Sequence, residues 1–381
     1  MPIHFRAIFF SGSRFDDVPG TAHFFEHMML AGTKKFPTKN LLADYIQKVG
    51  GDFGASTGNN LLRLNIDIPE ASDLDTGIEV LSECLINPLL EDQAMENERN
   101  AILSELKSKK NNPKEYISDV QRRVSLQGTS AARSTLGDEA SIKSITKNGL
   151  IDYKKKFINS GRVCFVVSGD VSIEIMEKKL NSVNLEIGER FMMERQLPII
   201  KEKSVDIEFY KGLEHLQVSL VCRTDIGSYE EYCSLRILSS ILGGGRGSRL
   251  LTKLRYKNGL VYSIFTSIFS TVDWGTLNIN FSCDRSIFEK VNNLIFEEFE
   301  ELKNNGVSSI ELDNVKSRVA KGSIRAFQTS EAWVGFHEND ALFSPHELHT
   351  VEDYIKTITG LELEDIKKVI GRYLSREKFY T

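Results

Sequence analysis

Alternation and helical periodicity divide the chain into two runs of elements that resemble each other. Leu62, Leu64, Ile66 and Ile68 alternate with polar partners, the period-two signature of a half-buried strand. They close a strand-like stretch over 53–68 that turns at Gly58-Asn59-Asn60. Residues 3–10 predict an earlier strand closed by Ser11-Gly12-Ser13, and Asp16-Asp17-Val18-Pro19-Gly20 reads as a turn. A helix follows, capped at Thr21 and ended by the glycine of Ala31-Gly32-Thr33. The next runs from about Thr38 to Gly50-Gly51, with Leu41, Leu42, Tyr45, Ile46 and Val49 on its apolar face. Helices are predicted over 70–86 and 91–110, further helix after that, and a strand over 162–168.

The second half repeats this order. Strands are predicted over 205–222, a helix over 230–242, then Gly243-Gly244-Gly245 and a short helix over 248–255. Strands over 261–270 and 275–282 and long helices over 286–304 and 308–326 follow. Tyr153-Lys154-Lys155-Lys156-Phe157-Ile158 occupies the same place in the first half as Val369-Ile370-Gly371-Arg372-Tyr373-Leu374 in the second. The first of these leads into a strand, whereas the second stands just before Thr381, so the matching C-terminal strand is missing or barely begun. A duplicated pair of α+β domains explains the pattern. The expected division is 1–185 and 204–381, joined by a charged linker over 186–203 that contains Pro198.

Bulk properties fit this picture. A chain of 381 residues is long for one domain, and 41% hydrophobic with 27% charged residues describes a globular protein with sizeable cores. A formal net charge of −5 gives no reason to expect nucleic acid. The longest apolar runs are of strand length, well short of the ~18 residues of a membrane helix. The five scattered cysteines form no C-x-x-C and read as reduced core residues. With no visible signal peptide, they point to a reducing, cytoplasmic compartment.

Candidate chemistry begins in the first predicted helix. His23 and His27 are four apart, one above the other on a helix face, with Glu26 directly before the second. Both imidazoles can point at one ion, and H-x-x-E-H is the inverted form of a zinc-protease helix. Read by mechanism, Glu26 takes a proton from a zinc-bound water. A catalytic zinc needs a third protein ligand, which a distant helix can supply. The helix predicted from residue 91 offers Glu96, Glu98 and Glu105, of which Glu98 and Glu105 lie seven apart on nearly one face.

Gly20-Thr21-Ala22-His23-Phe24-Phe25-Glu26-His27-Met28, followed by Gly32-Thr33, resembles the active-site helix of the M16 metallopeptidases. That family includes the mitochondrial processing peptidase, insulin-degrading enzyme and pitrilysin. Glu98-Arg99-Asn100-Ala101-Ile102-Leu103-Ser104-Glu105 resembles its second motif. By that match Glu105 is the third zinc ligand and Glu98 an outer partner of a ligating histidine. Gly243-Gly244-Gly245-Arg246-Gly247-Ser248-Arg249-Leu250, with Leu254-Arg255 through Gly259-Leu260-Val261-Tyr262-Ser263, resembles a further signature. There an arginine and a tyrosine, here Arg255 and Tyr262, complete the site from the opposite domain, where they stabilise the oxyanion or hold substrate.

The resemblance implies an α+β fold of two homologous repeat domains, each a mostly antiparallel sheet packed with helices, in a clamshell arrangement. It implies one zinc per chain and extended peptide substrates, received by strand addition along Phe53-Gly54-Ala55-Ser56-Thr57 with Gly54, Ala55 and Ser56 as binding residues. Relatives often carry Asn-Ala where this chain has Gly54-Ala55. The glycine either costs a substrate hydrogen bond or marks a bulge. Relatives also begin with a strand or hairpin before the residue matching Met1 and end with a strand after that matching Thr381. The expected assembly is a homodimer or a self-sufficient member of an M16 pair. The activity implied is that of a zinc endopeptidase, and the alternative is a non-catalytic M16-like scaffold or partner subunit.

Overall fold

The alternating stretches become strands, and each half of the chain builds one antiparallel sheet. The computed structural model describes residues 1–191, 215–271, 273–343 and 348–381. In the first half β1 (Ile3–Phe9), β2 (Asp52–Thr57), β3 (Leu62–Ile68) and β4 (Val163–Ser168) order as β2-β3-β1-β4. In the second, β5 (His215–Thr224), β6 (Ile264–Ser270), β7 (Gly275–Asp284) and β8 (Phe379–Tyr380) order as β6-β7-β5-β8. Every pairing is antiparallel, and the two orders correspond strand for strand. The repeat read from the sequence is thus a repeat of topology. Where β4 has six residues, its counterpart β8 has two, paired with Val221 and Cys222 of β5.

Helices correspond as well. The first half carries α1 (Thr21–Ala31), α2 (Lys39–Gln47), α3 (Leu74–Ile86), α4 (Asp92–Asn111), α5 (Pro113–Ser125), α6 (Glu139–Ser144), α7 (Lys147–Phe157) and α8 (Ile173–Asn181). The second carries α9 (Tyr229–Gly243), α10 (Arg249–Leu251), α11 (Phe288–Asn305), α12 (Ser309–Ala326), α13 (Ser330–Phe343), α14 (Val351–Gly360) and α15 (Leu363–Tyr373). The short helix expected over 248–255 is only α10, which continues into wider π-helical winding over Thr252–Lys257. The strand expected from 261 starts at Ile264, which leaves Tyr262 just ahead of it.

The chain forms two compact units, and each borrows one helix from the other half of the sequence. Residues 112–129, with α5, belong to the second unit, and residues 327–339, with most of α13, belong to the first. In the second unit Gln121 of α5 donates to Asn278 of β7 (2.7 Å) and accepts from Ser219 of β5 (3.1 Å). In the first, Glu338 of α13 accepts from both Arg6 of β1 and Arg63 of β3. Of the expected linker 186–203, residues 192–203 lie outside the described residues, as do 205–214 of the strand expected over 205–222.

Face alternation explains the core of the first unit. Ile3, Phe5, Ala7 and Phe9 of β1 join Leu62, Leu64, Ile66 and Ile68 of β3 on one face. That face packs on Ala22, Phe24, Phe25, Met28 and Met29 of α1. At ~1.5–3 kcal/mol per large apolar side chain, this burial fixes which side of α1 turns inward. The opposite face, which also holds Ile8 and Val166, carries a polar cluster in which His4 pairs with Asp67, Arg6 with Asn65, and Glu338 with Arg6 and Arg63. All five cysteines are free thiols, four of them buried. Among the described residues no helix is long and apolar enough to cross a membrane.

Candidate metal centre

Because the core takes Phe24, Phe25, Met28 and Met29, the remaining face of α1 presents His23, Glu26 and His27. The helix start is fixed differently from the Thr21 cap expected from sequence. Gly20 takes the cap position at φ 90°, where a Cβ would meet the Leu136 carbonyl oxygen at 2.7 Å. The carboxylate of Asp16 accepts from the backbone N–H groups of Gly20 (2.9 Å) and Ala22 (3.0 Å), while the Thr21 hydroxyl donates back to the Val18 carbonyl (2.7 Å). Burial pushes the Asp16 carboxyl up to about 7, against the pull of these N–H groups and of Arg133.

Helix α4 supplies the facing carboxylates. Their seven-residue spacing brings both Glu98 and Glu105 to the histidines, as two full turns require. Glu105 Oε2 lies 3.7 Å from His23 Nε2 and 3.8 Å from His27 Nε2. Glu98 Oε2 lies 2.7 Å from His27 Nδ1. Glu96 faces away and pairs with Arg99 (3.1 Å), whose guanidinium also binds the Ile142 and Ile145 carbonyls.

His23, His27 and Glu105 each offer one donor atom, and these atoms lie within 4.8 Å of one another. The nitrogen–oxygen separations are too long for hydrogen bonds. They approach the ~3.4 Å edge of a tetrahedron around an ion with bonds of ~2.1 Å. Two imidazoles and a carboxylate are a donor set that zinc accepts, so the residues present fit that ion.

The electrostatics favour the neutral, metal-competent form of His23. Burial, followed by the charges of His27 and Lys109, pulls its pKa down to about 3. Burial also works against charge on His27, but the hydrogen bond and charge of Glu98, with Glu26 and Glu105, outweigh it and hold its pKa above the ordinary value. Burial raises the Glu26 carboxyl, partly offset by hydrogen bonds from Thr57. Glu26 Oε2 accepts from Thr57 Oγ1 at 2.5 Å.

A pH dependence follows for the metal-free protein. Between pH 6.5 and about 3 the unfolded chain carries a proton at His23 that the folded chain does not. Stability from this ring is therefore complete above pH 6.5 and is lost as pH falls, by roughly 2 kcal/mol at pH 5. Urea unfolding at pH 7 and pH 5 is expected to show a smaller acid loss in His23→Gln than in wild type. Equal losses would contradict the burial argument.

The edge strand resolves the question of Gly54. β2 ends the sheet order, and its register with β3 is regular, Gly54 opposite Asn65, with no bulge. A Cβ at Gly54 would meet nothing within 4 Å. The Gly58 N–H bonds the Leu61 carbonyl (2.7 Å), so Ser56 and Gly54 also turn their backbone groups toward β3. Phe53, Ala55 and Thr57 turn theirs to the free edge. Of the three residues expected to receive substrate, Ala55 alone offers backbone donors and acceptors there.

Arg255 and Tyr262 lie in the second unit. The Arg255 guanidinium stands 5.0 Å from the Tyr262 ring centroid, and Tyr262 is 80% exposed. Sequence reading missed Asp16 and Thr57 as partners of the site. Their only signal was position, in the turn before α1 and at the last residue of β2.

Comparison with known proteins bears on the family and the fold. Residues 8–139 match the family described as Insulinase (Peptidase family M16), and residues 144–319 match the Peptidase M16 inactive domain. An uncharacterized zinc protease of Bacillus subtilis is 22% identical over 380 residues, covering 97% of this chain and 89% of its own length. The human mitochondrial-processing peptidase subunit beta is 31% identical over 164 residues, covering 42% of this chain and 33% of that protein. A crystal structure of a Helicobacter pylori protease superposes with a TM-score of 0.90 at 19% identity, covering all of this chain and 93% of that one. A peptidase M16 inactive domain from Pseudomonas fluorescens gives 0.89 at 23% identity, covering all of this chain and 91% of that one. At these identities the two structures speak for the fold alone. With both family domains present in order, the chain belongs to the M16 peptidase family.

Proposed function

We propose that this chain is a zinc-dependent endopeptidase that cleaves extended peptides or processes precursors. His23, His27 and Glu105 hold one zinc per chain, and Glu26 is the general base. The observation that carries this reading is the convergence of three donor atoms within 4.8 Å beside a fourth, largely buried acid that is not one of them. The naming of relatives as zinc proteases supports it.

Zinc, when bound, supplies Lewis acidity, lowering the pKa of a water to about 7 and polarising a carbonyl. Glu26 accepts the proton of the attacking water and passes it to the leaving nitrogen. Glu98 holds His27 through Nδ1, which keeps Nε2 turned toward Glu105. Ala55 pairs with the substrate backbone on the free edge of β2. Arg255 and Tyr262 stabilise the oxyanion or hold substrate backbone, a role supported by the motif and by their mutual packing. Similarity to processing-peptidase beta subunits supports a paired assembly. As this chain carries both motifs, we take that assembly to be a homodimer.

Metal removal tests the reading. A chelator is expected to abolish cleavage of a quenched peptide library, and one equivalent of zinc to restore it. No cleavage at any zinc loading would instead favour a non-catalytic partner subunit.

A further inference from the structure

Thr57 joins two parts of the site that are otherwise separate. It is the last residue of the edge strand β2, and its backbone faces the free edge. Its hydroxyl donates to Glu26 Oε2 at 2.5 Å. One residue therefore grips the acid of α1 from the strand end. Ala55, whose backbone is open on that same edge, lies two residues back, ~6.7 Å along the strand.

We infer that Thr57 is a positioning residue for the reaction: it fixes the Glu26 carboxylate relative to the strand that sets the register of the peptide. The inference rests on the endopeptidase reading and deepens it. A peptide paired with Ala55 and a base held by Thr57 are both referred to one rigid strand. Their separation then does not depend on how α1 settles against the sheet. The hydroxyl matters for aim rather than affinity, since the groups that meet the peptide backbone are those of Ala55. Placement errors near 1 Å cost up to ~100-fold in rate.

The test compares Thr57→Val, which keeps shape and β-branching, with Thr57→Ser, which keeps the hydroxyl. In the zinc-loaded protein Thr57→Val is expected to lower kcat by about 10- to 100-fold. KM should change less than about twofold and zinc content not at all, because the backbone edge and the ligands stay intact. Thr57→Ser is expected to recover most of kcat. In the metal-free protein Thr57→Val should lower Tm by about 2 °C, and by less in a Glu26→Ala background. The inference is overturned if Thr57→Val keeps wild-type kcat, if Thr57→Ser falls as far as Thr57→Val, if KM carries the loss, or if the two sites show no thermal coupling. A wild-type protein that binds no zinc and cleaves nothing overturns the endopeptidase reading itself, and this role with it.

Discussion

Glu26→Gln is expected to lower kcat/KM for peptide cleavage by about 1,000-fold while zinc content stays at the wild-type level. The expectation has two separate sources. Loss of activity follows because an amide of nearly the same shape cannot accept the proton that a carboxylate accepts. Retention of metal follows from geometry: the converging atoms belong to His23, His27 and Glu105, whereas the Glu26 carboxylate is occupied by Thr57. The Gln side chain retains an oxygen to accept from Thr57, so the fold should be little disturbed. Metal analysis and cleavage of a quenched peptide library on the same preparation check both halves. Undiminished cleavage would remove Glu26 from the role of base. Loss of zinc together with activity would make Glu26 a ligand.

Glu105→Gln is expected to act in the opposite order, on metal first. It replaces a charged donor with a neutral one and leaves two imidazoles. Zinc affinity should fall by more than ~100-fold, the upper end of what loss of an outer partner costs. Glu98→Gln, which turns the carboxylate on His27 Nδ1 into a neutral amide and leaves the three converging donors in place, should fall within ~10- to 100-fold. Competition against a chromogenic chelator gives both values. Unchanged affinity in Glu105→Gln would shift the third ligand to Glu98. Glu96 is the weaker substitute, since it is turned toward Arg99.

Much of this was legible in the sequence, for identifiable reasons. Spacings within one helix carry over directly: His23 with His27, and Glu98 with Glu105, share a face because four and seven residues return to it. Strand alternation revealed the duplicated order because it reports one buried face per strand, and the two sheets then matched strand for strand. Periodicity cannot tell which sheet a helix will cover. Nothing in the apolar pattern of α5 or α13 announces that each packs in the unit of the other half. The polar residues that attach them, Gln121 and Glu338, find partners more than ninety residues away.

Local rules failed where a third residue intervened. Thr21 is a good capping residue, but Asp16 reaches the first amides of α1 from the preceding turn and frees the threonine for another bond. Gly32 suits a helix end by rule, yet its backbone is extended at φ 167°, and the need for glycine comes from the Pro37 carbonyl oxygen 2.6 Å from where a Cβ would stand. The edge-strand motif named three substrate residues in a row, although a ladder turns only alternate residues outward, here Ala55 but neither Gly54 nor Ser56.

The most direct test is a crystal of the zinc-reconstituted protein measured on both sides of the zinc absorption edge. The expected result is one anomalous peak per chain, bound by His23 Nε2, His27 Nε2 and a Glu105 carboxylate oxygen, with Glu26 outside bonding distance. No peak there, or a peak held by other residues, would contradict the account.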